Sequence, residues 1–96
     1  MNISFVGISE LEKFMNNPQA QFIDLREVQE YNKQHIRGAI SIPYEVFSEK
    51  LKELSKRKVY ILYCERGATS TMAASLMLKN GFKCYSLSGG IEAFND

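Results

Sequence analysis

Cys64 is the residue of this chain best placed to act as a nucleophile. It ends the run Val59-Tyr60-Ile61-Leu62-Tyr63 and is followed by Glu65-Arg66-Gly67-Ala68-Thr69, after which a helix-forming segment begins near Ser70. The apolar, β-branched and aromatic run reads as a buried strand, so the local order is strand, loop, helix. The thiol then stands at the carboxyl end of a strand, the edge where open α/β sheets bind ligands, and it meets the unpaired N–H groups of the next helix. Both features favour an anion there. A free thiol of pKa near 8.5 is only about 3% thiolate at neutral pH, and a shift down of about two units, worth about 2.7 kcal/mol, makes it mostly thiolate. Loop amides that point inward supply such a shift and can hold a thiolate, a persulfide or an oxyanion. Gly67 is the residue able to take the positive φ that the wrap needs. Glu65 opposes the shift by roughly 0.7 kcal/mol at about 6 Å in water, and Arg66 is placed to offset it. The competing reading makes Cys64 a small buried hydrophobe at a strand end. The local pattern alone leaves both open.

Three further residues belong with Cys64 as candidates. A second strand, about 21–25, ends in Ile23-Asp24-Leu25-Arg26, and its carboxyl end should lie on the same edge as Cys64. Asp24 and Arg26 can therefore approach the site. The preferred reading is structural: Arg26 bonds a carboxylate such as Glu30, or Asp24 bonds loop amides. His35 is the one histidine of the chain, and a cysteine-histidine pair would make it a general base. We prefer a histidine that bonds backbone carbonyls and fixes the turn at Gly38. One histidine and two distant cysteines make a poor metal site, so neither zinc nor any other cofactor is expected. Cys84 lies inside a strand rather than at its end and reads as a buried thiol in preference to a resolving partner for Cys64.

The elements that must position these residues follow from periodicity. Residues 2–6 read as a short strand, and Ser9 with Glu12 has the form of a capping box opening a helix with Leu11, Phe14 and Met15 on one face. Pro18 closes it. A short helix over 27–33 follows the second strand, with Val28 and Tyr31 on one side, and a short strand before Pro43 comes next. Residues 44–54 form a helix with Phe47, Leu51 and Leu54 inward. The helix from about Ser70 to Lys79 turns Ala73, Leu76 and Met77 inward and closes at Asn80-Gly81 in a left-handed cap. A last strand spans 83–87, and Ser88-Gly89-Gly90 leads to a helical turn over 91–94. About five short strands alternating with helices indicate an α/β fold, a small and mostly parallel five-stranded sheet flanked by helices on both faces.

Composition sets the outer bounds. The chain has 96 residues, 45% of them apolar, enough for one core, and is expected to form one domain over 1–96. Twelve basic against eleven acidic residues leave a charge of +1, and no charge run implies a nucleic-acid or membrane surface. Two cysteines without a secretory leader point to a reducing, cytoplasmic setting. No apolar stretch approaches the roughly 18 residues of a membrane span.

At this point several pieces combine. Ile23-Asp24-Leu25-Arg26, Glu30-Tyr31, His35-Ile36-Arg37-Gly38-Ala39-Ile40-Ser41-Ile42-Pro43, Cys64 with Gly67 three residues on, and Leu87-Ser88-Gly89-Gly90-Ile91-Glu92-Ala93-Phe94 occur in this order along the chain. Together they resemble a single-domain rhodanese. That resemblance implies the α/β sheet above and a six-residue active-site loop, Cys64 to Thr69. It also implies sulfur transfer: the Cys64 thiolate attacks the outer sulfur of a donor such as thiosulfate, and the persulfide then passes its sulfur to cyanide or a thiol. The implied partners are a small sulfur donor and a thiol acceptor, a protein thiol among the candidates. Amides of Glu65, Arg66, Gly67, Ala68 and Thr69 would stabilise the persulfide. Asp24, Arg26 and His35 are implied as scaffolding, and Arg66 is the nearest loop cation to attract an anion. The chain departs from the family pattern at Thr69, where an arginine is frequent, and at Glu65, often basic. Both changes make the pocket less positive and favour a less charged donor, such as a persulfide, over thiosulfate. Phe94 stands where a tryptophan is frequent. Two alternatives remain: a non-catalytic rhodanese-like module that binds a protein, and a phosphatase or arsenate reductase of this fold. The last needs an arginine six residues after the cysteine, where this chain has Ser70.

Overall fold

The structure is a computed structural model that describes residues 2–94; Met1, Asn95 and Asp96 lie outside the described residues. Five strands, β1 (Phe5–Val6), β2 (Ala20–Asp24), β3 (Ile40–Ser41), β4 (Val59–Tyr63) and β5 (Lys83–Leu87), form one sheet in the order β1-β5-β4-β2-β3. All four neighbouring pairs run parallel. The sheet is flanked by α1 (Leu11–Met15), α2 (Val28–Lys33), α3 (Tyr44–Lys50), α4 (Ala68–Lys79) and α5 (Gly90–Phe94). The expected α/β architecture is therefore present, and its sheet is wholly parallel.

The long central strands are near-continuous apolar runs because both of their faces are covered. Side chains alternate across the sheet. Tyr60, Leu62 and Cys64 join Ile23, Phe47, Leu51, Ala73, Ala74 and Met77 on the face covered by α3 and α4. Ile61 and Tyr63 join Leu11, Phe22, Ile36, Leu87 and Ile91 on the other. The two outer strands have two residues each, which limits the unpaired edge that a parallel sheet exposes.

Element positions agree with the sequence expectations along most of the chain, with local corrections. The first strand is confined to Phe5–Val6. The cap expected at Ser9 and Glu12 lies two residues earlier: a 3-10 turn over Ile8–Glu10 precedes α1, and the Gly7 amide donates to the Glu10 carboxylate at 3.4 Å. The third helix stops at Lys50 and continues as a 3-10 turn over Leu51–Glu53, which still buries Leu51. Val28 is exposed, so only Tyr31 faces the core from α2. α4 starts at Ala68, two residues before the expected Ser70. Gly81 closes it with φ +85°, the left-handed cap expected there.

After β4 the chain crosses through α4 to β5 on one side, and after β2 it crosses through α2 to β3 on the other. The carboxyl ends of β4 and β2 therefore flank the point where the winding reverses, the usual crevice for a ligand in such sheets. Cys64 follows one of these strands directly; Leu25 and Arg26 follow the other.

Candidate active site

Cys64 is 6% exposed and sits between the end of β4 and the start of α4. Its Sγ accepts hydrogen bonds from the Gly67 amide at 3.1 Å and the Ser70 amide at 3.4 Å. The expectation named the amides from Glu65 to Thr69; of these Gly67 makes the contact, and Ser70, one residue beyond, makes the other. Gly67 has φ +112°, so the positive φ read from the sequence is what turns its N–H back toward the sulfur. The first amides of α4, those of Ala68 and Thr69, have no intrahelical acceptor. Two amides on one sulfur and a helix terminus beside it stabilise negative charge at that point.

The loop is braced from behind. The Gly67 carbonyl accepts from the Ser70 hydroxyl at 3.1 Å and from the Thr71 hydroxyl at 2.8 Å. Ser70 and Ser86 are fully buried with their hydroxyls 2.7 Å apart; with the Ser70 proton given to Gly67, Ser86 is the donor of the pair. From the other side, the Ile91 amide donates to the Cys64 carbonyl at 2.9 Å and the Glu92 amide to the Glu65 carbonyl at 3.2 Å. Sequence reasoning missed this bracing by α5. The signal was the Gly89-Gly90 pair, since consecutive glycines after a strand mark a close approach of backbone.

Arg26 pairs with Asp24, not with Glu30 as the sequence suggested, because Glu30 lies beside Lys33 on α2; of the two readings offered, Asp24 bonding a loop amide is present, at Arg26. Asp24 is fully buried. Its Oδ1 accepts from the Arg26 backbone amide at 2.9 Å and side-chain Nε at 3.1 Å, and its Oδ2 accepts from Nη2 at 2.8 Å. Arg26 Nη2 also donates to the Gln34 carbonyl at 2.6 Å. Burial works to lower the guanidinium pKa, but the hydrogen bond and charge of Asp24 outweigh it and hold the pKa above its ordinary value. Burial also pushes the Tyr63 phenol far up, with the Asp24 carboxylate acting in the same direction. Arg26 Nη1 lies 3.6 Å from Glu65 Oε2. The cation that offsets Glu65 is thus Arg26, not Arg66 as expected, because Arg66 is turned outward and its Nε donates to Glu92 at 2.8 Å.

His35 is exposed; its Nδ1 lies 2.8 Å from the Tyr31 carbonyl, to which Nδ1–H donates, and its ring stacks on Tyr31 with centroids 3.8 Å apart. These contacts tie His35 to the end of α2 rather than to the turn at Gly38. We expect His35→Asn to leave sulfur loading of Cys64 within about twofold and to cost no more than about 1 kcal/mol of stability, the worth of one exposed hydrogen bond. A hundredfold fall in loading with stability intact would reinstate it as a base. Cys84 is buried and its thiol donates to the Ala74 carbonyl on α4 at 3.5 Å. Burial pushes its pKa up to about 11, so it is a weak nucleophile as it stands.

Comparison with known proteins adds an independent line. The family model described as Rhodanese-like domain matches residues 8–96. The chain is 36% identical over 95 residues to the tRNA uridine(34) hydroxylase of Hamiltonella defensa, covering 91% of this chain and 26% of that protein. It is 32% identical over 94 residues to that of Photorhabdus laumondii, covering 91% and 27%. It thus spans about a quarter of the length of these curated relatives. Among solved structures, reduced CoADR-RHD of Bacillus anthracis superposes with a TM-score of 0.91 at 26% identity, over 97% of this chain and 16% of that one. A rhodanese-related protein of Thermoplasma volcanium superposes with a TM-score of 0.89 at 25% identity, over 96% and 90%.

Proposed function

Because the chain belongs to the rhodanese-like domain family, we propose that it is a sulfurtransferase in which Cys64 carries a sulfane sulfur as a persulfide. The observation that carries this reading is the pair of amides, Gly67 and Ser70, that donate to Cys64 Sγ. In the first half-reaction the thiolate attacks the outer sulfur of a donor. A new S–S bond forms, and the old one breaks with its electron pair leaving on sulfite or on the donor thiolate. In the second, an acceptor thiolate attacks the outer sulfur and Cys64 leaves as thiolate. The same amides stabilise Sγ when it attacks and when it leaves, which is where preorganised donors contribute most. Intact mass after exposure to donors tests this: one added sulfur per chain is expected with a persulfide donor. No addition with any donor would leave the protein-binding reading in its place.

The donor follows from charge. Arg26 and Arg66 are both paired with carboxylates, and Thr69 contributes no charge. Thiosulfate, a dianion, is therefore a poor donor, and persulfides are preferred. We expect Thr69→Arg to raise the rate with thiosulfate by about tenfold, the worth of one charge-assisted contact of about 1.4 kcal/mol. An unchanged rate would remove the electrostatic account of the loop. The phosphatase reading is not favoured, because the sixth position is Ser70, buried against Ser86.

A role tied to tRNA is the second reading, favoured by the relatives named tRNA uridine(34) hydroxylase. Its test is retention of tRNA by the protein at low salt. We favour small sulfur donors and thiol acceptors, with a reducing cytoplasmic setting supported by two free cysteines. Among the described residues no helix is long and apolar enough to cross a membrane.

A further inference from the structure

A cleft of about 340 Å³ opens beside Thr69, between the residues that follow β2 and the start of α3. Leu25 and Pro43 supply apolar wall, and Thr69 brings the edge of the Cys64 loop into the lining. Tyr44, exposed, is also part of the lining. Three charged residues complete the lining: Arg26, Glu27 and Glu45. Their states differ. Arg26 is committed to Asp24, the Gln34 carbonyl and Glu65. Glu27 and Glu45 are exposed, and neither makes an ion pair among the described residues. The uncompensated charge of the cleft is therefore negative on both sides, in a chain whose overall charge is +1. An aromatic face with two free carboxylates is the chemistry that recognises an ammonium group.

We propose that this cleft seats the sulfur acceptor and selects short aliphatic aminothiols, through Glu27, Glu45 and the ring of Tyr44. The proposal rests on the sulfur-transfer reading of Cys64. With the ammonium held in the cleft, the acceptor thiolate attacks the outer sulfur of the Cys64 persulfide. The bond between that sulfur and Sγ breaks, its electron pair stays on Sγ, and the acceptor leaves as a persulfide. No outside oxidant or reductant takes part. In water a carboxylate about 8 Å from a ligand charge changes its affinity roughly twofold, and two acting in opposite senses on a cation and an anion separate them by about thirtyfold.

The test uses thiol–disulfide exchange at Cys64, which needs no persulfide. Rates of mixed-disulfide formation are read by mass for cystamine, 2-hydroxyethyl disulfide and 3,3′-dithiodipropionate, each divided by the rate with a free model thiol. Wild-type protein should favour cystamine over dithiodipropionate by roughly tenfold or more, less at high salt. In the Glu27→Gln, Glu45→Gln double variant the spread should collapse to within about threefold, and in the Glu27→Lys, Glu45→Lys double variant, which makes the cleft positive, the order should reverse. Equal normalised rates in the wild type, or an order unmoved by these variants, would overturn the proposal. A second arm loads Cys64 with sulfur and follows its transfer to cysteamine and to 3-mercaptopropionate. If exchange shows the order but no sulfur loads, the cleft's selectivity stands and the sulfur-transfer reading fails. If sulfur loads and both arms are indifferent to charge, the reading stands and this proposal falls.

Discussion

Replacing Cys64 with serine is expected to abolish sulfur uptake, leaving the intact mass unchanged with thiosulfate and with every persulfide donor. A hydroxyl cannot form a persulfide, and the Gly67 and Ser70 amides that meet Sγ have nothing reactive to stabilise. The informative control is Cys84→Ser. Cys84 is buried, bonded to the Ala74 carbonyl, and its thiol is pushed up to about 11, so at neutral pH it has almost no thiolate to attack a donor. Loading in Cys84→Ser should match the wild type. A Cys64→Ser protein that still gains one sulfur, or a Cys84→Ser protein that gains none, would move the chemistry to the other cysteine.

The second large effect is expected at Gly90. A Cβ there would lie 2.5 Å from the Glu65 carbonyl oxygen and 2.6 Å from that of Cys64, in a residue whose φ is +64°. Both contacts are with backbone, so no side chain can swing away. Left-handed strain of about 1–2 kcal/mol adds to an overpacking cost of about 1–3 kcal/mol, giving roughly 2–5 kcal/mol for Gly90→Ala. For a domain of this size that lowers the melting temperature by at least about 10 °C. Relief can come only by moving α5 off the loop, so sulfur loading should fall with stability. Gly38→Ala is the matched control: its φ is +88° but nothing lies within 4 Å of the added Cβ, so it carries the strain without the collision. Equal melting temperatures for the two variants would show that α5 does not press on the Cys64 loop.

Gly67 and Gly90 show what could be read from the chain in advance. The need for positive φ at Gly67 was legible because a loop between a strand and a helix must turn there, a local requirement. Strands β2, β4 and β5 and the closing cap of α4 at Gly81 were legible for the same reason, since periodicity and turn chemistry act over a few residues. The pressure of Gly90 on Cys64 and Glu65 was not, because 25 or more residues separate them and only the folded sheet brings them together. The partner of Glu65 was misassigned by the same logic. Arg66 is its neighbour along the chain, but adjacent residues in a loop diverge. Arg26 reaches it because β2 and β4 are paired with Asp24 beside Tyr63. The cap of α1 was misplaced by two residues, because Gly7 and Glu10 offer the same hydrogen bond that Ser9 and Glu12 offer on paper. The selective cleft was invisible for a simpler reason. Glu27 and Glu45 lie at the starts of two separate helices, and only the folded chain brings them to one opening.

The position of β4 has a mechanical consequence. It is bonded along both edges, to β2 over Ala20–Asp24 and to β5 over Lys83–Ser86, so the main chain that carries the thiol has almost no freedom to recoil. Under the sulfur-transfer proposal, any adjustment to a second sulfur on Sγ would therefore fall on the loop after Cys64 rather than on the strand before it.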